Sequence, residues 1–417
     1  MLLPPSLSAL LGPFTPAAVP DTADLLDATW QVDAAIDHVL KLLDPDPAGL
    51  ADGSFTGPTG TTLMLAAPDR HTPGLYLRLP DGGTTPTTTT APVATVTLPL
   101  AGTLHLAAYR HRVDAVRGRP QYLRTLDPGQ LAVIHTGATT SLTGSADSAQ
   151  LIVAHQPPAH RGSLPLTVAD CRRAGEHARA CLTAPPEQHD KYFRTQGHWL
   201  GDIPALHPTD LDRFHHQSAP ALTRLAADRP LMNRLVETLR FDPERFEASR
   251  TTLLTDRLVL HAAEQRGFEI RLNASFRPDN QRVPHDHAHP LTTRVLTSGY
   301  VQHVYRRTDR GTGPFTSRDL APAVTTTELP GSTYSLAPAL VHQAVMLPGS
   351  TTLQLRGPRT RTATAASDLV LSPIHRPAPD DGEPLLHSRP LTDAEHETLR
   401  EHLVGQGLLS GRPRAHL

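Results

Sequence analysis

Five blocks of this chain recur in the same order about 193 to 202 residues further on. Residues 33–45 are matched by 231–243, both with apolar residues at helical spacing and both stopped by Asp-Pro. Residues 62–67 are matched by 258–263, 74–79 by 267–272, and 100–105 by 297–303. The turn Asp127-Pro128-Gly129 is matched by Leu329-Pro330-Gly331. Constant order at a near-constant offset marks a tandem duplication, so the fold has to be one that each half builds for itself.

Each half reads as helix, β-structure, helix. Apolar residues alternate in 93–98, 268–273, 293–296 and 352–355, the period of strands with one buried face. Turn signals at Asp81-Gly82-Gly83, Asp127-Pro128-Gly129, Gly311-Thr312-Gly313 and Pro348-Gly349 punctuate them. Many short strands with regular turns predict a sandwich or small barrel in a mainly β protein with flanking helices. Residues 167–181 hold good helix formers and no proline, and Thr392-Asp-Ala-Glu395 is a capping box ahead of Leu399, Leu403 and Leu408. The expected division is 1–165, a helix plus a first barrel; 166–228, a helical connector; 229–378, a second barrel with its leading helix; and 379–417, a helical segment.

The chemistry concentrates in the second half. His285 and His287 stand at i and i+2 on an extended segment, which puts both imidazoles on one side, roughly 7 Å apart along the strand. Two imidazoles alone hold a divalent ion weakly, and His342, beyond the Pro330-Gly331 turn in a short β-prone run, is the candidate third ligand. His289 continues the same spacing, but its place at a turn beside Pro290 makes it the weaker candidate. In a chain with 24 histidines the others, His215, His216, His303 and His396 included, read as ordinary surface or core residues.

The pair His285-x-His287, a glycine twelve residues later, then Pro-Gly with a histidine eleven residues beyond that glycine resemble the two sequence motifs of the cupin superfamily, over about 120 residues from 257 to 371. Most metal-binding cupins carry a Glu four or five residues after the second histidine; Leu291 and Thr292 stand there instead. The resemblance therefore implies a three-histidine site of the cysteine dioxygenase type, in a duplicated jelly-roll β-barrel. It implies a non-haem oxygenase that holds Fe²⁺ and uses O2 on a small amino-acid-like, thiol or carboxylate substrate, or alternatively a Zn²⁺, Mn²⁺ or Ni²⁺ cupin that works without oxygen. A redox-neutral isomerase or lyase, or a non-catalytic small-molecule-binding bicupin, are the alternatives. Arg294, two residues beyond Thr292 on the same strand face, is expected to enter the cavity and hold a substrate carboxylate. Tyr305 and Tyr334 complete the expected catalytic set, with Tyr300 and Arg271 as further wall candidates.

The duplication offers a check within the sequence. Counting from Gly102 and Gly129 as His285, His287 and His342 lie from Gly299 and Gly331 lands on Thr88, Thr90 and Thr140, so the first barrel is expected to lack the metal. The threonine run at 84–90 is expected to be a solvated loop. The 39 basic and 41 acidic residues give a net charge of −2, which offers nothing to nucleic acid or an anionic membrane. Two cysteines, Cys171 and Cys181, read as reduced thiols, and no apolar run approaches the ~20 residues of a membrane helix. With no basic n-region at residues 1–5, the expectation is a cytoplasmic protein.

Overall fold

The computed structural model describes residues 32–43, 47–57, 60–68, 73–81, 88–91, 94–158, 163–184, 200, 203, 206–251, 255–263, 267–275, 279–280, 284–309, 314–361 and 389–410. The amino-terminal segment, the turn glycines at 82–83 and 311–313 and residues 185–199 of the connector lie outside them. The chain is mainly β and forms two compact units, one of residues 1–190, 301–311 and 315–327, the other of 191–300, 312–314 and 328–417.

In the first unit the strands Phe55–Gly57 and Gly60–Ala66 are followed by eight more: β1 (Gly74–Leu79), β2 (Thr88–Thr90), β3 (Thr95–Ala101), β4 (Leu104–Tyr109), β5 (Tyr122–Leu126), β6 (Ala132–Ile134), β7 (Thr139–Gly144) and β8 (Ala149–Ala154). They divide between two antiparallel sheets in the orders β1-β8-β3-β6 and β2-β7-β4-β5. That interleaving is a jelly roll. The face of β1, β8 and β3 carrying Leu75, Leu77, Leu79, Val96, Leu98, Leu100, Leu151 and Val153 shares one core with Val39 of α1 (Val32–Leu42) and Cys171, Ala178 and Leu182 of α2 (Val168–Thr183). Helix α2 starts at the capping box of Thr167 with Asp170. Cys171 and Cys181 are buried and free.

The second half repeats the series as β9 (Phe268–Ser275), β10 (Asp279–Asn280), β11 (Leu291–Thr297), β12 (Tyr300–Arg307), β13 (Leu320–Glu328), β14 (Thr333–Leu336), β15 (Val341–Met346) and β16 (Ser350–Arg356). The order β9-β16-β11-β14 reproduces β1-β8-β3-β6. Most of β12 and β13 belongs to the first unit, where β13 pairs with β6, Thr325 opposite Val133. Helices α3 (Leu211–Ala227), α4 (Arg229–Thr238) and α5 (Asp393–Gly405) are N-capped by Asp210, Asp228 and Thr392, and α3 packs on β11, β14 and β16. The Asp-Pro stop holds at Asp242, which caps the next short helix with Pro243 in its first turn. No helix among the described residues is long and apolar enough to cross a membrane.

The repeat extends to hydrogen bonds. Gly129 (φ +86°) donates its N–H to the Pro99 carbonyl at 3.0 Å, and Gly331 (φ +92°) donates to the Val295 carbonyl at 2.9 Å. Two expectations need correction. The left-handed turn residue corresponding to Gly102 (φ +62°) is Ser298 (φ +58°), not Gly299, so the two halves align one residue away from the expected register there. Gly299 is needed for space, because a Cβ there would lie 2.8 Å from the Glu328 carbonyl oxygen. And Thr88–Thr90 is not loop but strand β2, with Thr88 opposite Ser141 and Thr90 opposite Thr139.

Candidate metal centre

Strand pairing decides which face of the second unit's sheet looks into the barrel. Thr292 on β11 sits opposite Ser335 on β14 and Leu355 on β16, and Arg294 opposite Thr333 and Leu353. Thr292 Oγ1 lies 2.6 Å from Ser335 Oγ and 2.5 Å from Ser218 Oγ on α3, and Ser335 Oγ lies 2.8 Å from His215 Nδ1 of the same helix. This face therefore meets the helices. Successive strand residues point to opposite sides, so Leu291, Thr293, Tyr334, Gln354 and Arg356 face inward, and with them their β9 neighbours Glu269, Arg271 and Asn273.

The segment leading into β11 is tied to the start of β15. His285 and His342 form an antiparallel bridge, the N–H of each on the carbonyl of the other at 3.0 and 2.9 Å, and the His287 carbonyl accepts from Ala339 N–H at 3.1 Å. The rings converge as a consequence: their centroids are 4.9 Å apart for His285 and His287, 4.7 Å for His285 and His342, and 4.9 Å for His287 and His342. His287 Nε2 and His342 Nε2 are 2.7 Å apart, and the three ligand nitrogens lie within 4.8 Å of one another. Nitrogens bound to one ion at ~2.1 Å stand about 3 Å apart, so the set fits a divalent cation. Burial, followed by the charges of nearby His285, holds the imidazoles of His287 and His342 well below their ordinary pKa. They stay neutral, the form that ligates.

Between the first two histidines Asp286 turns the other way, buried, with its carboxylate on Arg361 Nη1 at 2.8 Å. His289 is not part of the trio: its Nδ1 is 3.0 Å from the Gly357 carbonyl oxygen.

Arginines share the inner wall. Glu269 joins Arg271 Nε through one carboxylate oxygen and Arg356 Nη2 through the other, the latter at 3.0 Å. Arg257, whose neighbour across the strand pair is Asn273, donates Nε–H to Asn273 Oδ1 at 3.2 Å. Burial, then repulsion from Arg271 and Arg356 against the pull of Glu269, brings the Arg257 guanidinium down to about 10. At Glu269 burial pushes the carboxyl up, but the Arg271 hydrogen bond and the three guanidinium charges outweigh it and the group stays below its ordinary range. Three guanidiniums face one carboxylate.

The other expected site residues fall in different places. Arg294 looks outward: its Nη1 donates to the Gly331 carbonyl at 2.9 Å, Thr333 Oγ1 at 3.0 Å and Thr223 Oγ1 of α3 at 3.2 Å. It fastens a turn and a helix to the sheet, so Arg294→Ala is expected to lower unfolding free energy by about 1–3 kcal/mol while metal content, read by elemental analysis, stays the same. Tyr334 does face inward and accepts a hydrogen bond from Tyr300 at 2.7 Å, their rings T-shaped at 6.3 Å. Tyr305 is placed in the first unit, buried, with its ring 6.5 Å from that of His303 and its phenol pushed up by burial. Arg271 is on the wall, as its strand suggested. Arg257, Glu269 and Arg356 were not anticipated, although the polar positions of 268–273 alternate in plain view.

Pairing also identifies the counterparts in the first barrel. Thr89 sits opposite Thr140 as His285 sits opposite His342, and Gly137 N–H donates to the Ala91 carbonyl at 2.8 Å as Ala339 does to His287. The equivalents of the trio are therefore Thr89, Ala91 and Thr140, one residue away from the expected Thr88 and Thr90. Among the described residues only His285, His287 and His342 form a metal-ligating group of this kind.

No family model matches the chain, and no curated protein matches it in sequence. Solved structures of the Bacillus subtilis oxalate decarboxylase are similar to it. One, concerned with that enzyme's Mn(II) centres, is 11% identical, with 75% of this chain and 76% of that chain covered and a TM-score of 0.22. Another solved structure, concerned with the substrate binding mode and reaction specificity of an oxalate decarboxylase, is 11% identical over 76% of this chain and 77% of that chain, with a TM-score of 0.21. Nothing about the site follows from a likeness of this size.

Proposed function

We propose that this chain is a metal-dependent enzyme of the cupin type, an oxygenase holding Fe²⁺ at His285, His287 and His342 and acting on a small carboxylate or amino-acid-like acid. The observation that carries the reading is the convergence of three imidazoles, those of His287 and His342 held neutral, on one point of a barrel whose inner wall also carries the guanidiniums of Arg257, Arg271 and Arg356. A histidine-only set adds no negative charge to a divalent cation, which favours anionic ligands, and Arg257 and Arg271 offer N–H groups to the same anion.

When bound, the ion supplies open coordination positions for the substrate and O2. The protein does the rest. Arg257 and Arg271 orient the acid, a positioning role. Glu269, held ionised between two arginines, serves as their counter-charge and is not a proton donor. The Tyr300 to Tyr334 hydrogen bond and the Asp286 to Arg361 ion pair hold the surrounding wall in place.

Elemental analysis of freshly purified protein, with oxygen uptake measured on a panel of carboxylates, thiols and amino acids, tests the proposal. About one iron per chain with substrate-dependent uptake is expected. Turnover with manganese, zinc or nickel and no oxygen consumption would replace the oxygenase with a redox-neutral lyase or isomerase, and stoichiometric metal with no turnover would leave a binding protein. Arg257→Met is expected to weaken substrate binding by about ten-fold or more with metal retained, as loss of a charge-assisted contact implies. Calorimetry with the active compound reads this directly.

A further inference from the structure

Among the described residues the first barrel holds no metal-ligating group like the trio, yet its inner face carries a cation with no partner. Arg78 lies on β1 on the same side as Tyr76, opposite to Leu77 and Leu79, which pack beneath the helices. Pairing sets Thr62 of the strand Gly60–Ala66 directly beside it on one flank and Gln150 of β8 on the other. Thr97 Oγ1 donates to Gln150 Oε1 at 2.9 Å, so that amide oxygen is engaged.

Arg78 keeps 7% of its surface, and among the described residues its guanidinium makes no hydrogen bond or ion pair. Its Nε and the Thr62 Oγ1 beside it are buried polar atoms without a partner. Arg124, also in this unit, differs: it gives its terminal nitrogens to Gln130 Oε1 and the Thr125 carbonyl. Burial alone pulls the Arg78 pKa down to about 10, with no acidic group offsetting it. An unpaired buried charge is destabilising, and an anionic ligand seated against this one would pair it.

The two barrels place this charge at the same level. In the second, Arg257 of the strand Asp256–Ala263 stands opposite Asn273; in the first, Thr62 stands at the position of Arg257 and Arg78 at that of Asn273. The guanidinium has crossed the strand pair and stayed inside.

We infer that the first barrel is a metal-independent binding site for a small monocarboxylate, gripped by the Arg78 guanidinium and the Thr62 hydroxyl. One fixed positive charge matches one carboxylate, whose two oxygens fit the planar fork. A phosphate dianion would leave a negative charge uncompensated in the same interior. Met64, Tyr76, Ile152 and Ala154 cluster on this inner face and supply an apolar wall for a short hydrocarbon or ring.

The test is calorimetric titration of the metal-free full chain with butyrate, benzoate and inorganic phosphate. It compares the unmodified protein with Arg78→Met, Arg78→Lys, Thr62→Val and Arg257→Met. Saturable carboxylate binding that survives in Arg257→Met, falls about ten-fold or more in Arg78→Met and falls by less in Arg78→Lys is expected, since a lysine keeps the charge and loses the fork. Should Arg78→Met not fold, Thr62→Val carries the test, with weakened binding and an unchanged unfolding midpoint expected. Equal affinity in Arg78→Met, loss of all binding in Arg257→Met, phosphate binding as tightly as the carboxylates, or no saturable carboxylate binding at all would each overturn the inference. Because no metal is present in these titrations, failure here leaves the proposed metal function untouched.

Discussion

His342→Ala and His287→Ala are each expected to abolish stoichiometric metal. Changes in groups that merely support a ligand weaken metal affinity roughly 10- to 100-fold, and removing one of three ligands exceeds that. The Nε2 atoms of these two rings stand 2.7 Å apart, so either truncation opens the centre between them. His289→Ala is the contrasting variant: its Nδ1 is engaged by the Gly357 carbonyl, and its loss leaves metal content unchanged. Elemental analysis after overnight incubation with Fe²⁺ or Mn²⁺ separates the two outcomes. A His342→Ala protein still holding one metal per chain would mean that the trio is a packing arrangement of neutral histidines.

The second large effect lies in the first unit and concerns acid stability. His135 Nε2 and His303 Nδ1 share the Thr325 hydroxyl at 3.0 and 3.1 Å. One hydroxyl has one hydrogen, so one ring accepts from it while the other donates to it, and both are neutral. Burial pulls His135 down to about 4, and burial with the charge of His135 pulls His303 down to about 3. The unfolded chain, with histidines near 6.5, binds these protons first. The stability the two rings contribute is therefore complete above pH 6.5 and is lost as pH falls toward 4, at about 1.4 kcal/mol per pH unit for each. Between pH 7 and 5, where most carboxylates are still ionised, denaturant unfolding is expected to lose about 4 kcal/mol from this pair, with a slope that steepens toward about 3 kcal/mol per unit as pH 5 is approached. In the His135→Gln, His303→Gln double variant that slope should disappear. An equal slope in both proteins would show that the two rings titrate normally.

Much of the architecture was legible because it is written in local chemistry. The Asp242-Pro243 stop, the box at Thr392 and the Pro-Gly turns are backbone requirements, and each stands where its residues asked for it. The histidine trio was legible for the same reason, since a two-residue spacing on an extended chain fixes the side of both rings. What could not be read was which way a face points. The polar residues of β9 and β11 alternate cleanly, but alternation says only that the faces differ. Arg294 was assigned inward and Arg257 overlooked because which face lies under α3 is decided by residues some seventy positions away, by Ser218 against Thr292 and Phe214 beneath Gly357. The register between the halves slipped by one residue because Ser298 fills a left-handed turn that glycine fills at 102. Sequence matching aligned the glycines and not the turns.

On the side that meets its helices the second unit's sheet buries Leu353, Leu355, Ile270 and Leu272 beside Thr292 and Ser335, and the side that looks into the barrel carries its charged residues, Glu269, Arg271 and Arg356, with Leu291 and Tyr334. The leucine and isoleucine layer of these strands is therefore outside the barrel wall. A substitution in the lumen changes chemistry without opening a cavity in that layer. This uncouples the inheritance of the scaffold from the inheritance of a site: one copy could exchange His, Arg and Asn for Thr, Ala and Arg while its Leu, Val and Cys contacts with the helices persisted. Duplicated chains built this way can diverge in what they bind at small risk to whether they fold.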